Sequence, residues 1–348
     1  MALMSKHAWI EPGAFEVAPG VHRIPLPLPM DGLRAVNVYA VEDGDGLVLI
    51  DSGWALDEAR KQLEKALDDI GFGLEQVHRF LVTHLHRDHY TMAVVLRKLF
   101  GAKVSLGIGE QPTLNAILNG EGERHLADLV RWGAADLADE LRGAYRGQDA
   151  AESLRLYDQP DEWLEGTTDI ALHERVLRAV PTPGHTNGHV VYVDAAEQLM
   201  FAGDHVLPHI TPSIGFETAR AELPLGDYLD SLRLVRSFPD MRLLPAHGPV
   251  APSVHHRVDE LLQHHEDRLG ATLAAVQGGE HTAREVAEKL GWTSRQRAYK
   301  DLNLFDRILA VGETNAHLDV LVVRGELASS LVDGVLQYEV VRPAAAGR

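Results

Sequence analysis

Short apolar runs separated by turn residues dominate the first eighty residues of the chain. The segment AVNVYAVEDGDGLVLIDSG carries an Asp-Gly-Asp-Gly cluster at residues 43–46 between two apolar runs, which predicts a β-hairpin. Within residues 55–70, apolar side chains recur at helical spacing before Gly71, so this pattern predicts a helix that ends there. The strand-like run VHRFLVT follows and leads directly into THLHRDHY.

The alternation of helix and strand continues beyond this point. TMAVVLRKLF predicts a helix, AKVSLG a strand, and VVYVDAAEQLMFAGDH a hairpin. Between them, residues 110–162 are polar and mostly helical in pattern. This long excursion predicts a helical insertion, and two interpretations stay open: a lid over a functional site, or a surface insertion without substrate contact.

The pattern changes to helices after about Pro252. HHRVDELLQHHEDRLGATLAAVQ predicts one long helix, and Thr282 with Glu285 forms a capping-box signature at the start of the next. GETNAHLDVLVVRG predicts a helix that ends at Gly325, followed by a hairpin around Asp333-Gly334. Helices followed by a hairpin suggest a winged-helix module, so we divide the chain into domains at residues 1–255 and 256–348.

Four side chains able to bind a metal ion lie within six positions of THLHRDHY, namely His84, His86, Asp88 and His89. In an extended segment, alternation would send both His84 and His86 to one face, while a turn or helix start could bring the other two together. The alternative is a solvated polar turn. Burial of several imidazoles and a carboxylate without a metal would cost desolvation free energy, which favours the metal interpretation.

Composition narrows the chemistry further. The chain has no cysteine and 19 histidines, so a metal must be held by imidazoles and carboxylates. A formal net charge of −18 repels phosphate backbones and makes nucleic acid a disfavoured partner. We find neither a signal-peptide pattern nor a membrane-spanning apolar run, so we expect a cytoplasmic protein without a membrane partner.

THLHRDHY resembles the HxHxDH signature of the metallo-β-lactamase superfamily, which includes glyoxalase II, lactonases and some nucleases. Four further motifs follow the family's order: Asp51 in LIDSG, His185 in TPGHTNGH, Asp204 in FAGDH and His247 in PAHG. The resemblance covers roughly residues 21–253. It implies an α/β fold, a four-layer αββα sandwich of two mixed sheets between helices, with the winged-helix domain after it.

The resemblance also implies a binuclear metal site. It assigns one divalent ion to His84, His86 and His185, a second to Asp88, His89 and His247, and a bridging position to Asp204. Asp51 would support the ligands, and Asp88 would also accept a hydrogen bond from a hydroxide. An imidazole-rich site without thiolates suits Zn²⁺ first, with Mn²⁺ and Fe²⁺ as alternatives.

Four further residues flank the matched motifs and are candidates for the pocket or for supporting contacts: Tyr90, His189, His205 and His209. Many family members carry a small residue where this chain has Tyr90, so the pocket wall is expected to differ. The alternative for the tyrosine is packing in the core. For the three histidines, a structural or solvent-exposed position is the alternative.

These features predict a metal-dependent hydrolase that cleaves an ester, thioester or lactone of a small acyl substrate, using a hydroxide that bridges two ions. This places the chain nearest the glyoxalase II and thioesterase branches. An endoribonuclease with an RNA-binding winged helix is the alternative, although AREVAEKL and GETNAHLDVL show no basic stripe. A third interpretation makes the metals structural and the tail a dimerisation module, so a homodimer stays open.

Three arginines have two interpretations at this stage. Arg220, Arg233 and Arg236 would guide a carboxylate or phosphate group if they formed a local cluster, or they are solvated surface charges. A true β-lactamase is disfavoured, because β-lactams are met outside the cytoplasm.

Overall fold

In the computed structural model, residues 8–29, 32–121, 124–145, 154–293 and 295–341 are described. Two β-sheets form the centre of the molecule. In spatial order, the first sheet contains β1 (Phe15–Ala18), β2 (Val21–Pro27), β3 (Ala35–Asp43), β4 (Gly46–Ile50), β5 (Val77–Leu81), β6 (Lys103–Gly107) and β7 (Glu162–Leu164). The second contains β12 (Arg242–Pro245), β11 (Leu199–Gly203), β10 (Val190–Asp194), β9 (Val176–Pro181) and β8 (Thr168–Ala171).

Both sheets are mixed. Strands β1 to β4 pair antiparallel and β4 to β7 pair parallel, while in the second sheet only the β11–β12 pair is parallel. The hairpin predicted at residues 43–46 is confirmed, since Asp43 pairs with Gly46 at the end of β3 and β4.

Helices cover the outer faces of the sheets. They are α1 (Asp57–Asp68), α2 (Arg87–Phe100), α3 (Gln111–Leu118), α4 (Arg124–Arg131), α5 (Ala135–Tyr145), α6 (Pro224–Arg236), α7 (Val254–Gln277), α8 (Ala283–Lys289) and α9 (Leu304–Val323). The predicted helix of residues 55–70 is α1, and its end before Gly71 is confirmed.

Alternation along the strands separates the core into layers. In β3, Val36 and Val38 pack against α1 and α2, whereas Tyr39 and Val41 face the second sheet. A third apolar cluster joins the outer face of the second sheet to α4 through α9. Helices, two sheets and helices therefore stack in the four-layer order that the sequence predicts.

The helices after residue 253 share this third cluster with the insertion helices α4 and α5. The predicted capping box is confirmed: the Thr282 hydroxyl accepts from the Glu285 N–H, and the Glu285 carboxylate accepts from the Thr282 N–H. Strands β15 (Leu327–Val332) and β16 (Val335–Val340) form the predicted hairpin. Asp333 and Gly334 both have positive φ, at 49° and 83°, as a tight hairpin turn requires.

Two further short strands, β13 (Gly291–Trp292) and β14 (Arg297–Ala298), pair between α8 and α9. The domain boundary predicted at residue 255 stays a prediction, as does the lid interpretation of residues 110–162, of which 122–123 and 146–153 lie outside the described residues. Among the described residues, no helix has the length and apolar character needed to cross a membrane.

The strand ends explain where the chemistry lies. Asp51 follows β4, His84 follows β5, His185 follows β9, Asp204 follows β11 and His247 follows β12. These strands run in the same direction within each sheet, so their carboxyl ends bring five separate segments to one edge of the sandwich.

Candidate metal centre

The densest part of the site forms where β5 gives way to α2. The chain leaves the strand after Leu81, and His86 occupies the N-cap position of α2 with an extended backbone. Asp88 and His89 then lie in the first helical turn, and both the His89 and Tyr90 N–H groups donate to the His86 carbonyl. A strand end followed at once by a helix start therefore turns four closely spaced candidate ligands toward one point.

Three imidazoles form one half of the site, which we call the imidazole trio: His84, His86 and His185. The Nδ1 atom of His86 lies 2.9 Å from Nε2 of His84 and 3.1 Å from Nε2 of His185. Burial, together with the neighbouring His185 imidazole, lowers the pKa of His86 to about 3, and burial lowers the pKa of His185 to about 4. The rings are therefore neutral at physiological pH, as metal ligation requires.

Bonds on the outer side of two of these rings fix their tautomers. Nδ1 of His185 donates to the Ser213 carbonyl at 2.7 Å. Nδ1 of His84 lies 3.0 Å from the Thr83 hydroxyl oxygen, which itself donates to Asp51 and so accepts from the ring. Both rings therefore keep the proton on Nδ1 and direct the lone pair of Nε2 into the site.

The other half, the mixed trio, consists of Asp88, His89 and His247. Oδ2 of Asp88 lies 3.6 Å from Nε2 of His89 and 3.4 Å from Nε2 of His247. The Nδ1 atom of His247 donates to the Ala35 carbonyl at 2.8 Å, so its Nε2 also carries a lone pair. Burial would raise the pKa of Asp88, but electrostatic interactions with the rings of His89 and His247 hold it below its usual range.

Asp204 lies between the two halves. Its Oδ1 is 3.4 Å from Nε2 of His247 and 3.7 Å from Nε2 of His89, while its Oδ2 is 3.6 Å from Nε2 of His185. One oxygen thus faces the mixed trio and the other faces the imidazole trio, a position suited to a bridging carboxylate.

Unpaired buried atoms test whether a metal fits here. Nε2 of His89, Nε2 of His247 and Oδ1 of Asp204 are buried and have no hydrogen-bond partner. Such atoms are rare in folded proteins, because each loses its hydration without compensation. Within the described part of the chain, three groups of side chains offer ligand atoms within 4.8 Å of one another, and all three lie here. The donor set therefore fits a divalent cation.

The electrostatics of His89 point the same way. Burial would lower the pKa of its ring, but the carboxylates of Asp51, Asp88 and Asp204 raise it to about 10. The surroundings thus favour a positive charge at this position. A bound divalent cation would satisfy the same carboxylates that now stabilise a proton on the ring.

Asp51 supports the site from behind. Its Oδ1 accepts from the backbone N–H of Thr83 at 2.8 Å, and its Oδ2 accepts from Nδ1 of His89 at 2.9 Å. Asp51 also has a φ of 59°, which is strained for a residue with a Cβ. One carboxylate thus orients His89 and, through the Thr83 hydroxyl, His84.

The four flanking candidates have different positions. The Tyr90 hydroxyl donates to the Asp158 carbonyl at 2.5 Å and its ring is buried in the core. His189 accepts the backbone N–H of Asp204 on Nε2 at 3.2 Å and thereby holds the bridging residue. His205 is buried with its ring 5.2 Å from that of Tyr228, and His209 is exposed.

Several residues around the site were not among the candidates predicted from sequence. Thr83 links Asp51 to His84, and its position directly before the first histidine could have drawn attention to it. Burial raises the pKa of the Tyr157 hydroxyl to about 12, with a contribution from the charge of Asp88. Glu110 and Glu217 are buried beside the ligand segments, and no local pattern indicates either.

The three arginines considered for anion guidance are each paired with a carboxylate. Arg220 lies 3.1 Å from Asp319, Arg233 lies 2.7 Å from Asp230, and Arg236 lies 2.8 Å from Asp259. They therefore do not form an uncompensated basic cluster.

Comparisons with known proteins agree with this geometry. The family model described as the metallo-beta-lactamase superfamily matches residues 31–247. The lactamase-like protein ptaB of Pestalotiopsis fici is 27% identical over 80% of this chain and 74% of its own length. The lactamase-like protein nscB of Aspergillus fumigatus is 26% identical over 70% of this chain, which spans only 57% of that relative.

Solved structures extend the likeness beyond the sandwich. A metallo-beta-lactamase family protein of Thermus thermophilus matches with a TM-score of 0.77 at 26% identity, covering 94% of this chain and 100% of that one. A beta-lactamase domain protein of Burkholderia ambifaria matches with a TM-score of 0.75 at 25% identity, covering 94% and 95%. Residues 256–348 form more than a quarter of the chain, so both matches include most of them.

The motif order, the converging imidazoles and carboxylates, and the match over residues 31–247 lead to one conclusion. The chain belongs to the metallo-beta-lactamase superfamily, a family of metal-dependent hydrolases.

Proposed function

We propose that the protein hydrolyses a small acyl substrate, an ester, thioester or lactone, with two divalent ions held at the carboxyl ends of the strands. The imidazole trio would hold one ion, the mixed trio the other, and Asp204 would bridge them. The observation that carries the proposal is the position of Asp204, whose two carboxylate oxygens face the two trios separately. The imidazole-rich donor set without thiolates favours Zn²⁺.

When bound, such ions supply a nucleophile derived from water at neutral pH and polarise the scissile carbonyl. The protein's part is to fix the ligand atoms and to leave a lone pair on three of the imidazoles. Outer bonds hold Nε2 of His84, His185 and His247 as lone-pair donors. Asp88 remains ionised because the neighbouring imidazoles outweigh the effect of burial, so it can accept a proton or a hydrogen bond during hydrolysis.

Charge supports a small acyl substrate over RNA. The chain carries a net charge of −18, and Arg220, Arg233 and Arg236 are each paired with a carboxylate. Both features reduce the attraction for a polyanion. We infer that residues 256–348 keep a winged-helix arrangement, on the basis of α8, α9 and the hairpin β15–β16, and pack against the catalytic layers without binding RNA.

Metal analysis combined with a substrate panel tests the proposal. Protein purified in zinc-supplemented buffer should hold about two ions per chain, and Asp204→Asn should hold fewer. The panel contains acyl thioesters, aryl esters, lactones, the β-lactam nitrocefin and a structured RNA. Turnover of an acyl compound that stops after chelation and returns with Zn²⁺ is the expected result. Absence of bound metal, or RNA or nitrocefin as the best substrate, would contradict it.

A further inference from the structure

Two buried carboxyl groups lie where the ligand segments meet the first turns of the insertion. Glu110 is fully buried at the step from β6 into α3, and Glu217 is 4% exposed on the segment between β11 and α6. Neither belongs to the ligand set described above. Both accept hydrogen bonds from residues within two positions of His185.

Glu110 contacts both segments that supply the imidazole trio. Its Oε1 accepts from the Thr186 hydroxyl at 2.5 Å, its Oε2 is buried without a hydrogen-bond partner, and the backbone N–H of Leu85 is close enough to lower the pKa of the carboxyl. Leu85 lies between His84 and His86, and Thr186 directly follows His185. A single buried side chain therefore lies between the two chain segments whose ring nitrogens must converge, bonded to one and beside a backbone N–H of the other.

Glu217 contacts the His185 segment one residue further along the chain, at Asn187. Its Oε2 accepts from the backbone N–H of Asn187 at 2.9 Å, and its Oε1 lies 3.3 Å from the Thr113 hydroxyl in α3. The same segment carries Ser213, whose carbonyl accepts from Nδ1 of His185. The His185 segment is thus held by hydrogen bonds to Glu110 and to the segment between β11 and α6.

The backbone around Glu110 packs directly against the segment that follows His185. A Cβ at Gly109 would collide with the Asn187 carbonyl, and one at Gly188 would collide with the Glu110 backbone nitrogen. The two segments therefore touch through their backbones, and side-chain hydrogen bonds fix how they are aligned.

We propose that Glu110 is a positioning residue that aligns the His84–His86 segment with the His185 segment, so that the imidazole trio is preformed for its metal ion. This inference rests on the metal site of the proposed function. It assigns to the insertion, at its first residue, a role in shaping the site independent of any lid over it. Carboxylates behind metal ligands commonly change metal affinity or activity by about 10- to 100-fold when removed.

Two substitutions at Glu110 separate hydrogen bonding from charge. Burial raises the pKa of Glu110 to about 7, although the bond from Thr186 and the nearby Leu85 N–H oppose this, so a neutral side chain is a fair replacement near neutral pH. Glu110→Gln keeps an acceptor oxygen, whereas Glu110→Ala removes the acceptor of the buried Thr186 hydroxyl. Glu64→Gln, on the exposed side of α1, is the matched control.

The experiment measures metal affinity directly. Metal-free full-length variants are titrated with Co²⁺ and Zn²⁺ against a chromophoric chelator, and the visible spectrum of bound Co²⁺ reports the ligand geometry. We expect Glu110→Ala to bind the first ion about 10-fold more weakly or worse, with an altered spectrum and a lower kcat at little changed KM. Glu110→Gln should stay within about 3-fold of the wild type, as should Glu64→Gln.

Thr186→Val provides a second route, because it removes only the hydroxyl that donates to Glu110. If Glu110→Ala does not fold, this variant decides: weaker Co²⁺ binding with a changed spectrum supports the inference, and wild-type values overturn it. Folded Glu110→Ala with wild-type affinity and spectrum also overturns it, while leaving the proposed function intact. Wild-type protein that binds no metal would overturn the proposed function and this inference together.

Discussion

Two groups of histidines and carboxylates lie at opposite ends of the same strands. At one end is the candidate metal centre. At the other, the carboxylate of Asp43 lies 3.0 Å from Nε2 of His78 and 3.1 Å from Nδ1 of His173. Strand β3 connects the two ends: its first residue, Ala35, accepts from His247, and its last, Asp43, lies about 26 Å away at the usual rise of an extended strand.

The two groups differ in how exposed their side chains are and in whether their polar atoms have partners. The side chains of His78 and His173 are 48% and 73% exposed, and the Asp43 carboxylate pairs with both. At the metal centre, His89 and His247 are buried and their Nε2 atoms have no partner. Proximity of imidazole and carboxylate is therefore weak support for a metal site, whereas converging buried nitrogen and oxygen atoms without hydrogen-bond partners are strong support.

Removal of one metal ligand should have the largest effect on turnover, whereas removal of a histidine at the other end of the strands should have almost none. His86→Ala deletes the nitrogen at the centre of the imidazole trio, so we expect turnover to fall by about 1000-fold or more, with loss of bound metal. His78→Ala at the other end should change kcat/KM by less than about 2-fold. Steady-state kinetics and metal analysis of both variants provide the measurement. Full activity in His86→Ala would remove the ligand assignment.

Removal of a supporting carboxylate should have a smaller effect that still distinguishes the ends. Asp51→Asn weakens the bond to Nδ1 of His89 and perturbs Thr83, so metal affinity should fall by about 10- to 100-fold. Asp43→Asn should leave metal affinity unchanged, because it faces other histidines. Chelator competition on the metal-free variants measures both. Equal effects at Asp51 and Asp43 would mean that the carboxylates act through general stability alone.

Bound metal should stabilise the folded protein through the candidate metal centre and not through the histidines around Asp43. With free Zn²⁺ at about ten times its Kd, binding to the native state adds about 1.4 kcal/mol to the free energy of unfolding. Thermal unfolding should therefore shift upward by a few degrees in the wild type and in His173→Ala. His86→Ala should show little shift. An upward shift lost in His173→Ala but kept in His86→Ala would place the tightest metal site at the wrong end of the strands.

Local patterns predicted much of the fold and part of the site. The hairpin at residues 43–46, the helix before Gly71 and the C-terminal hairpin follow from spacing and turn chemistry within short windows. The ligands of THLHRDHY could be recognised because they lie within six consecutive positions, between the end of a strand and the first turn of a helix. The resemblance to the family supplied Asp51, whose bond to His89 joins residues 38 positions apart.

Contacts between distant segments were not predictable in this way. Glu110 meets Thr186 across 76 positions, and Asp43 meets His173 across 130. Tyr90 shows the same limit, because its bond to the Asp158 carbonyl depends on a segment 68 positions away. Each of these residues has an ordinary local sequence, and only tertiary packing decides whether it supports a site, joins two sheets or fills the core.

The smallest expected effect is on the free energy of unfolding when Asp43, far from the candidate metal centre, is replaced. Burial would raise the pKa of Asp43, but the backbone N–H and ring of His173, with His78, hold it below its usual value. A carboxyl whose pKa is lower in the folded state stabilises the fold above its unfolded value of about 3.9, and that contribution is lost as the pH falls through the folded value. Metal-free Asp43→Asn should thus lose about 1 kcal/mol at pH 7.

This difference from the wild type should shrink progressively once the pH falls below about 4, since the wild-type carboxyl is then protonated first in the unfolded state and, at lower pH, in the folded state. Asp45→Asn, exposed on the same turn, is the matched control and should differ little from the wild type at any pH. Urea unfolding at pH values between 7 and 3 measures all three proteins. A deficit of Asp43→Asn that stays constant, or grows toward low pH, would show that Asp43 stabilises this end by packing and not by its charge.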